Sequence, residues 1–391
     1  MAVHDVIIVG GGISGMSLAH YCSKSGLKPL VIDKNGRLGG TFHSYRRDDF
    51  WFELGAHSCY NSYGNLVELL DDTGCLGRII KPGNAGYRLF TGGEIKSLMS
   101  QMSFPELLVS LPRLFGAKMD GETVESYYSK IVGKRNFERA IGPMLNAVIC
   151  QKANAFPADM LFKKRERRKD VIKKFGFPGG VQTITDTIAA EPGIEKTTGK
   201  EVKEIAFDSG VFKVTTADGS SFESRRLAIA TPAEAAAKML QKSFPAVAMK
   251  LLALKAERVE TVGVIIKKNA TRIGPIAALA AADDIFYSFV SRDTFPDPVY
   301  RAFAFHFKAG ASSHETRLGR IAQVLGTRDF EEIVKAEHVI PSLRLGHKNV
   351  IAEIDTLLAG TPLLLTGNYF TGLAIEDCVS RSLQESKRLK R

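Results

Sequence analysis

Val6-Ile7-Ile8-Val9-Gly10-Gly11-Gly12-Ile13-Ser14-Gly15 stands almost at the start of the chain, and its reading decides the fold. The β-branched run Val6–Val9 reads as a buried parallel strand. Gly10, Gly12 and Gly15 follow at G-x-G-x-x-G spacing. Ser14 to Ser25 predicts a helix with Ala19 and Cys22 on its apolar face, stopped by Gly26. Leu30 to Ile32 predicts a second strand ending at Asp33, near the distance of about 20 residues that a β-α-β dinucleotide fingerprint requires. In that reading Gly10 makes the turn, Gly12 lets a pyrophosphate approach the backbone, and Gly15 lets the helix pack against the strand. The helix N-terminus beginning at Ser14 offers unpaired N–H groups to the phosphates. Asp33, with Lys34 beside it, meets the adenosine ribose, and its charge disfavours a 2′-phosphate there.

NAD and FAD share this fingerprint. Arg37-Leu38-Gly39-Gly40-Thr41 adds a second glycine pair, which suits a longer, extended cofactor or an ordinary turn. Phe52-Glu53-Leu54-Gly55-Ala56-His57-Ser58 then predicts a strand ending in small residues.

Composition narrows the rest. The 391 residues suffice for two interleaved domains, with 45% hydrophobic and 24% charged residues as in ordinary globular chains. No apolar run approaches the roughly 18 residues of a spanning helix. The strand pattern at Val6 leaves no room for a signal peptide, so a cytoplasmic protein is expected, peripheral on the inner face of a membrane as an extension of that expectation. Cys22, Cys59, Cys75, Cys150 and Cys378 form neither a disulfide framework nor a zinc pattern, so reduced thiols and no metal are expected. The net charge of +11 fits an anionic small molecule or anionic lipid, and no nucleic-acid motif is present. The run Lys163, Lys164, Arg165, Arg167, Arg168, Lys169, Lys173, Lys174 reads most simply as a solvated face, with a membrane or acidic-substrate role as the alternative.

The run from Val6 to Gly40 resembles the FAD domain of the amine oxidase, protoporphyrinogen oxidase and phytoene desaturase superfamily. Phe177 to Ile184 resembles that family's glycine pair opening a return helix. Val202 to Ile205 resembles the strand reaching the adenine, and Leu227 to Pro232 resembles the strand and turn beside the flavin. The stretch from Gly367 to Val379, with Gly367-Asn368, Gly372 and Asp377-Cys378, is most similar to protoporphyrinogen oxidases.

The resemblance implies an α/β fold: a Rossmann-type, glutathione-reductase-like FAD domain with an interleaved α+β substrate domain. The FAD domain is expected over 1–75, 175–254 and 346–391, and the substrate domain over 76–174 and 255–345. Non-covalent FAD is implied, contacting Gly10, Gly12, Ser14, Gly15, Asp33, Lys34, Gly39, Gly40, Thr41, Gly55, Ala56, His57, Val202, Thr231, Pro232, Gly367, Asn368, Gly372, Leu373 and Ala374. A helix is expected to start near Leu373, aiming a second N-terminus at the flavin.

On the substrate side, helices are expected at Phe104 to Phe115 and Val124 to Ile131, and strands at Val262 to Ile266 and Tyr300 to Phe307, forming a sheet that roofs the flavin. Phe104, Leu107, Leu108, Leu111, Leu114 and Phe115 form an apolar stripe, read as core or as a membrane-interface helix. Arg88, in Tyr87-Arg88-Leu89-Phe90-Thr91-Gly92-Gly93, resembles the family's propionate-binding arginine; a surface hairpin arginine is the alternative. His57 reads as a base or, more simply, as structural, and His306 as a core or pocket-wall residue. The implied activity is hydride removal from protoporphyrinogen IX to give protoporphyrin IX with oxygen as acceptor, as in haem biosynthesis, from an apolar and anionic substrate. A related amine oxidase or polyene desaturase, or a non-catalytic flavin-binding protein, stands as the alternative. No protein group is assigned as catalytic, because flavin N5 takes the hydride.

Overall fold

The computed structural model describes residues 3–389. Its organising layer is a five-stranded parallel sheet in the order Glu195–Thr197, Pro29–Ile32, Val6–Val9, Leu227–Ile229 and Leu363–Leu365. Val6–Val9 lies at its centre with all four residues buried. Strand alternation splits them between two cores. Val6 and Ile8 pack with Met16, Leu18 and Cys22 of the helix Ile13–Lys24. Ile7 and Val9 face the opposite core with Phe212, Val214, Leu251 and Ile354. The C-terminal helix Ile375–Arg388 lies against the helix Ile13–Lys24, where Ser382 Oγ donates to Ser14 O at 2.7 Å. An antiparallel meander, Val202–Asp208, Val211–Thr216 and Ser221–Ser224, covers the far side.

A second, seven-stranded mixed sheet runs Glu332–Pro341, Ala256–Lys267, Tyr300–Lys308, Phe286–Ser291, Ile276–Ala281, Gly86–Thr91 and Glu94–Lys96. Its first five strands come from within 255–345 and its last two from within 76–174. Along Tyr300–Lys308, Phe303, Phe305 and Phe307 pack with Ile321, Val324 and Leu325 of the helix His314–Leu325. Ala302 and Ala304 face the other way, onto Phe50, Phe52 and Leu54. A Cβ on Gly263 would lie 2.7 Å from the Phe52 ring, so the absence of a side chain lets the two units touch. His306 continues the alanine row toward the cofactor side and meets Thr261 Oγ1 at 2.9 Å.

Two expectations about surface segments change. The stripe from Phe104 to Phe115 is not core: Phe104, Leu108, Val109, Leu111, Leu114 and Phe115 are all exposed, Phe115 by 95%. The segment is a short helix, Phe104–Ser110, followed by a 3-10 turn, Leu111–Gly116. Pro112 lacks the N–H that would continue the α-helical ladder. The basic run is not simply a solvated face either. It alternates, with Lys164, Arg167 and Lys169 exposed while Lys163 and Arg165 turn inward onto Asp377. Among the described residues no helix is long and apolar enough to cross a membrane.

Candidate functional site

Four parallel strands end side by side at Val9, Ile32, Ile229 and Leu365, and the loops leaving them build a glycine-lined cradle. Gly10 has φ +106°, and a Cβ there would sit 2.8 Å from Ala230 O; one on Gly15 would sit 1.9 Å from Gly10 O. The protein's own backbone therefore explains these two glycines. Gly12 differs. A Cβ there would meet nothing closer than 3.9 Å, so no protein atom requires its small size. It faces the groove as the N-cap of the helix Ile13–Lys24, with no side-chain cap on the first-turn N–H groups. That is the arrangement a pyrophosphate fills. Gly39 and Gly40 close over Gly12: Gly39 N donates to Gly11 O at 2.7 Å, and Arg37 holds the turn through Gly40 O at 2.9 Å.

Asp33 is buried at the end of its strand. Its Oδ2 accepts from Gly11 N at 2.7 Å and its Oδ1 from Asn35 N at 2.8 Å, so the carboxylate also fixes the glycine turn. Lys34 is exposed beside it. Lys200 N donates to Asp33 O at 2.9 Å, which brings the strand start at Val202 to the same end of the groove. Thr231 and Pro232 follow the strand next to Gly10. Thr41 O accepts from Ala56 N at 2.9 Å, joining the second glycine pair to Gly55, Ala56 and His57.

On the C-terminal side, Gly367 and Asn368 leave the last strand, and Gly372, Leu373 and Ala374 lead into a helix that starts at Ile375 rather than Leu373. Asp377 accepts from Ala374 N at 3.2 Å. It also accepts from Lys163 Nζ at 2.9 Å and Arg165 Nη2 at 2.8 Å, and Lys163 Nζ also donates to Thr371 O. Two cations thus clamp the loop beneath the second helix N-terminus. Reading the sequence did not find this clamp.

Just past Ala56, His57 lines a cleft between the strand Phe50–Glu53 and the seven-stranded sheet, walled also by Trp51, Tyr87, Lys174, Arg292 and Phe295. His57 is exposed to this space. The protein groups packed around the ring still desolvate it, which lowers its pKa to about 4, and Lys174 adds to the effect. Burial likewise lowers His306 to about 3 and His43 to about 4. His338, also lowered by burial, meets Leu54 O at 2.9 Å. These four histidines are therefore neutral near pH 7, and of them His57 lines the cleft. Glu53 is buried in the same wall. Its carboxylate accepts from Ser44 Oγ at 2.6 Å and from Val181 N at 2.8 Å, and burial raises its pKa to about 7. His43, His338 and Glu53 were not singled out in the sequence, since nothing local marks residues that meet across more than a hundred positions.

Arg88 does not join this group. It is exposed, donates to Tyr87 O at 3.1 Å on its own hairpin, and does not line the cleft. The cations that do are Lys174 and Arg292.

Residues 13–266 match the family of flavin containing amine oxidoreductases. The chain is 25% identical over 265 residues to a candidate flavin-containing monoamine oxidase A of Dictyostelium discoideum, covering 59% of this chain and 58% of that protein. It is 29% identical over 105 residues to the 15-cis-phytoene desaturase of Narcissus pseudonarcissus, covering 27% of this chain and 18% of the desaturase. The fold superposes on a candidate protoporphyrinogen oxidase of Exiguobacterium sp. 255-15 with TM-score 0.79 at 16% identity, over 100% of this chain and 99% of that one. It superposes on a fatty acid isomerase of P. acnes with TM-score 0.73 at 14% identity, over 98% of each. At such identities these two structures speak to the fold alone. With the glycine cradle, its two helix N-termini and the match over most of the chain, the protein belongs to the flavin containing amine oxidoreductase family, and the cofactor its cradle fits is FAD.

Proposed function

We propose that the chain is an oxidoreductase with non-covalent FAD that takes hydride from a large, apolar substrate seated in the cleft. Protoporphyrinogen IX is the specific candidate, converted to protoporphyrin IX with oxygen as final acceptor. The observation that carries the reading is the closeness of cradle and cleft: His57, which follows directly on Gly55 and Ala56, lines the space walled by Trp51 and Phe295. When bound, FAD supplies the two-electron chemistry. The chain's own part is to position and to exclude water. The aromatic walls hold a flat apolar body, neutral His57 offers a hydrogen bond without charge, and the seven-stranded sheet shuts out solvent. The choice of a tetrapyrrole is supported by the likeness of Gly367 to Val379 to protoporphyrinogen oxidases. We place the protein peripherally on an anionic membrane surface, where such a substrate partitions, with the exposed segment Phe104 to Phe115 as the contact.

The test is anaerobic mixing of the yellow holoprotein with protoporphyrinogen IX, with phytoene or with a primary amine, followed by visible absorbance. The expected result is bleaching by protoporphyrinogen IX, recovered on admitting oxygen. Bleaching by the amine or phytoene alone would replace the substrate. No bleaching by any donor would overturn the oxidoreductase reading.

A further inference from the structure

We propose that Arg292 and Lys174 form the anion-binding end of the cleft and hold a carboxylate of an apolar substrate, the role that the sequence gives to Arg88. The inference rests on the reading of the cleft as the substrate site.

Arg292 opens the short turn Arg292–Thr294 after the strand Phe286–Ser291. Its guanidinium lies over two rings, 4.7 Å from the Phe50 centroid and 5.3 Å from that of Trp51. One nitrogen, Nη1, donates to Phe295 O. The Nε is buried and has no partner among the described residues. Lys174, on the short strand Lys174–Phe175, reaches Tyr87 Oη at 3.1 Å and lies 5.7 Å from the Tyr87 ring. Among the described residues, no carboxylate oxygen lies within 4.0 Å of either cation.

The nearest acids are already committed. Asp293 grips Arg301 through both carboxylate oxygens, with Oδ1 at 2.9 Å from Arg301 Nε, and caps Ile276 N at 2.9 Å. Asp297 caps Val299 N and Tyr300 N. Removing a cation from water without a counter-ion is unfavourable, and ring faces offset only part of that cost. The half-buried, unpaired guanidinium of Arg292, with Lys174 on the wall of the same aromatic space, calls for an anion from outside the chain. The guanidinium supplies a planar fork for a carboxylate, and the ammonium a point charge beside it. Trp51 and Phe295, with ring centroids 5.2 Å apart, receive the apolar body attached to that carboxylate. A protonated amine meets like charge in the same place, so the subsite also selects against cations.

Trp51 is the chain's single tryptophan and lines the cleft, so its fluorescence reports occupancy without turnover. Holoprotein is titrated with 2-naphthoate against 2-naphthamide, and with protoporphyrin IX against its dimethyl ester, in wild type, Arg292→Met, Arg292→Lys, Lys174→Met and Arg88→Ala. In wild type the acids should bind more tightly than their neutral partners, by about ten- to a hundredfold, as expected for charge-assisted hydrogen bonds. Arg292→Met should remove that preference while leaving the amide affinity and FAD content unchanged. Arg292→Lys and Lys174→Met should be intermediate, and Arg88→Ala should match wild type. Equal affinity of acid and amide in wild type overturns the proposal whether or not the variants fold. So does an unchanged preference in a folded Arg292→Met protein. If naphthoate binding depends on Arg292 but protoporphyrin does not bind, the subsite stands and the tetrapyrrole assignment falls.

Discussion

Glu53 shows how a single residue couples the cofactor cradle to acid-base behaviour. It ends the strand Phe50–Glu53, caps the helix Gln182–Ala189 through Val181 N, and lines the cleft. Burial raises its pKa from the ordinary 4.5 to about 7, against the opposing pull of its bonds to Ser44 and Val181. Below pH 4.5 the group is protonated in folded and unfolded chains alike. Between about 4.5 and 7 the unfolded chain releases its proton while the folded one keeps it, so the stability present at low pH is lost as pH rises through 7. At about 1.4 kcal/mol per pK unit, the loss is roughly 3 kcal/mol. Glu53→Gln retains an acceptor for Val181 N but cannot ionise. Urea midpoints at pH 5 and pH 8 should therefore show the variant gaining on wild type as pH rises. Parallel pH dependences would show that Glu53 is not the group responsible.

At the scale of elements, two helix N-termini flank the cradle, and the second depends on the segment Lys163–Arg165. Asp377 stands in the first turn of that helix, and a Cβ on Gly372 would come within 2.4 Å of its Oδ2. Without Lys163 and Arg165 its charge would stand unbalanced beside the loop 367–374, which the family resemblance assigns to the cofactor. Lys163→Met with Arg165→Met should therefore weaken FAD binding and lower the flavin reduction potential, by about 30 mV for each tenfold loss of preference for reduced over oxidised cofactor. Lys163→Arg with Arg165 intact should restore both. A merely structural role would lower the melting temperature and leave the potential where it was. The clamp also marks where sequence reading stops. The strand at Val6, the glycine spacing and the end at Asp33 are local, so propensity and spacing revealed them. The alternation of Lys163 and Arg165 against Lys164 and Arg167 is set by Asp377, more than two hundred residues away, and no local pattern carries it. Arg88 went astray for the opposite reason: its strand-Gly-Gly surroundings were legible, but the direction of its side chain depends on the parallel pairing of Gly86–Thr91 with Ile276–Ala281. Arg292 reaches the cleft from the turn that follows the strand Phe286–Ser291, whose partners are met only in the folded sheet.

The whole molecule carries an asymmetry of surface that its stripe of apolar residues announced without direction: helical spacing says that Phe104 to Phe115 share faces, not what covers them. Six large apolar side chains there are exposed, Leu108 by 68% and Val109 by 72%. Arg113 and Lys118 flank them, and Arg135 and Arg139 follow in the helical segment packed behind. Among the described residues none of these four cations has a carboxylate within 4.0 Å, whereas neighbouring Lys134 faces Glu138 at 3.9 Å. A second copy docking face to face on this patch would bring the same unpaired cations together, on chains already carrying +11. An anionic lipid surface accepts both features: acyl chains take scattered apolar side chains without needing a matching shape, and headgroups attract the basic residues by about 1 kcal/mol each. Holoprotein should float with vesicles containing phosphatidylglycerol, bind phosphatidylcholine vesicles weakly, and release as salt rises. Leu108→Asp with Phe115→Asp should abolish flotation while leaving FAD content and the Trp51 titrations unchanged, because neither residue touches cradle or cleft. Failure of wild-type protein to float at low salt would overturn the membrane assignment. So would a concentration-dependent dimer abolished by the same double substitution, which would give the patch to a second copy of the chain.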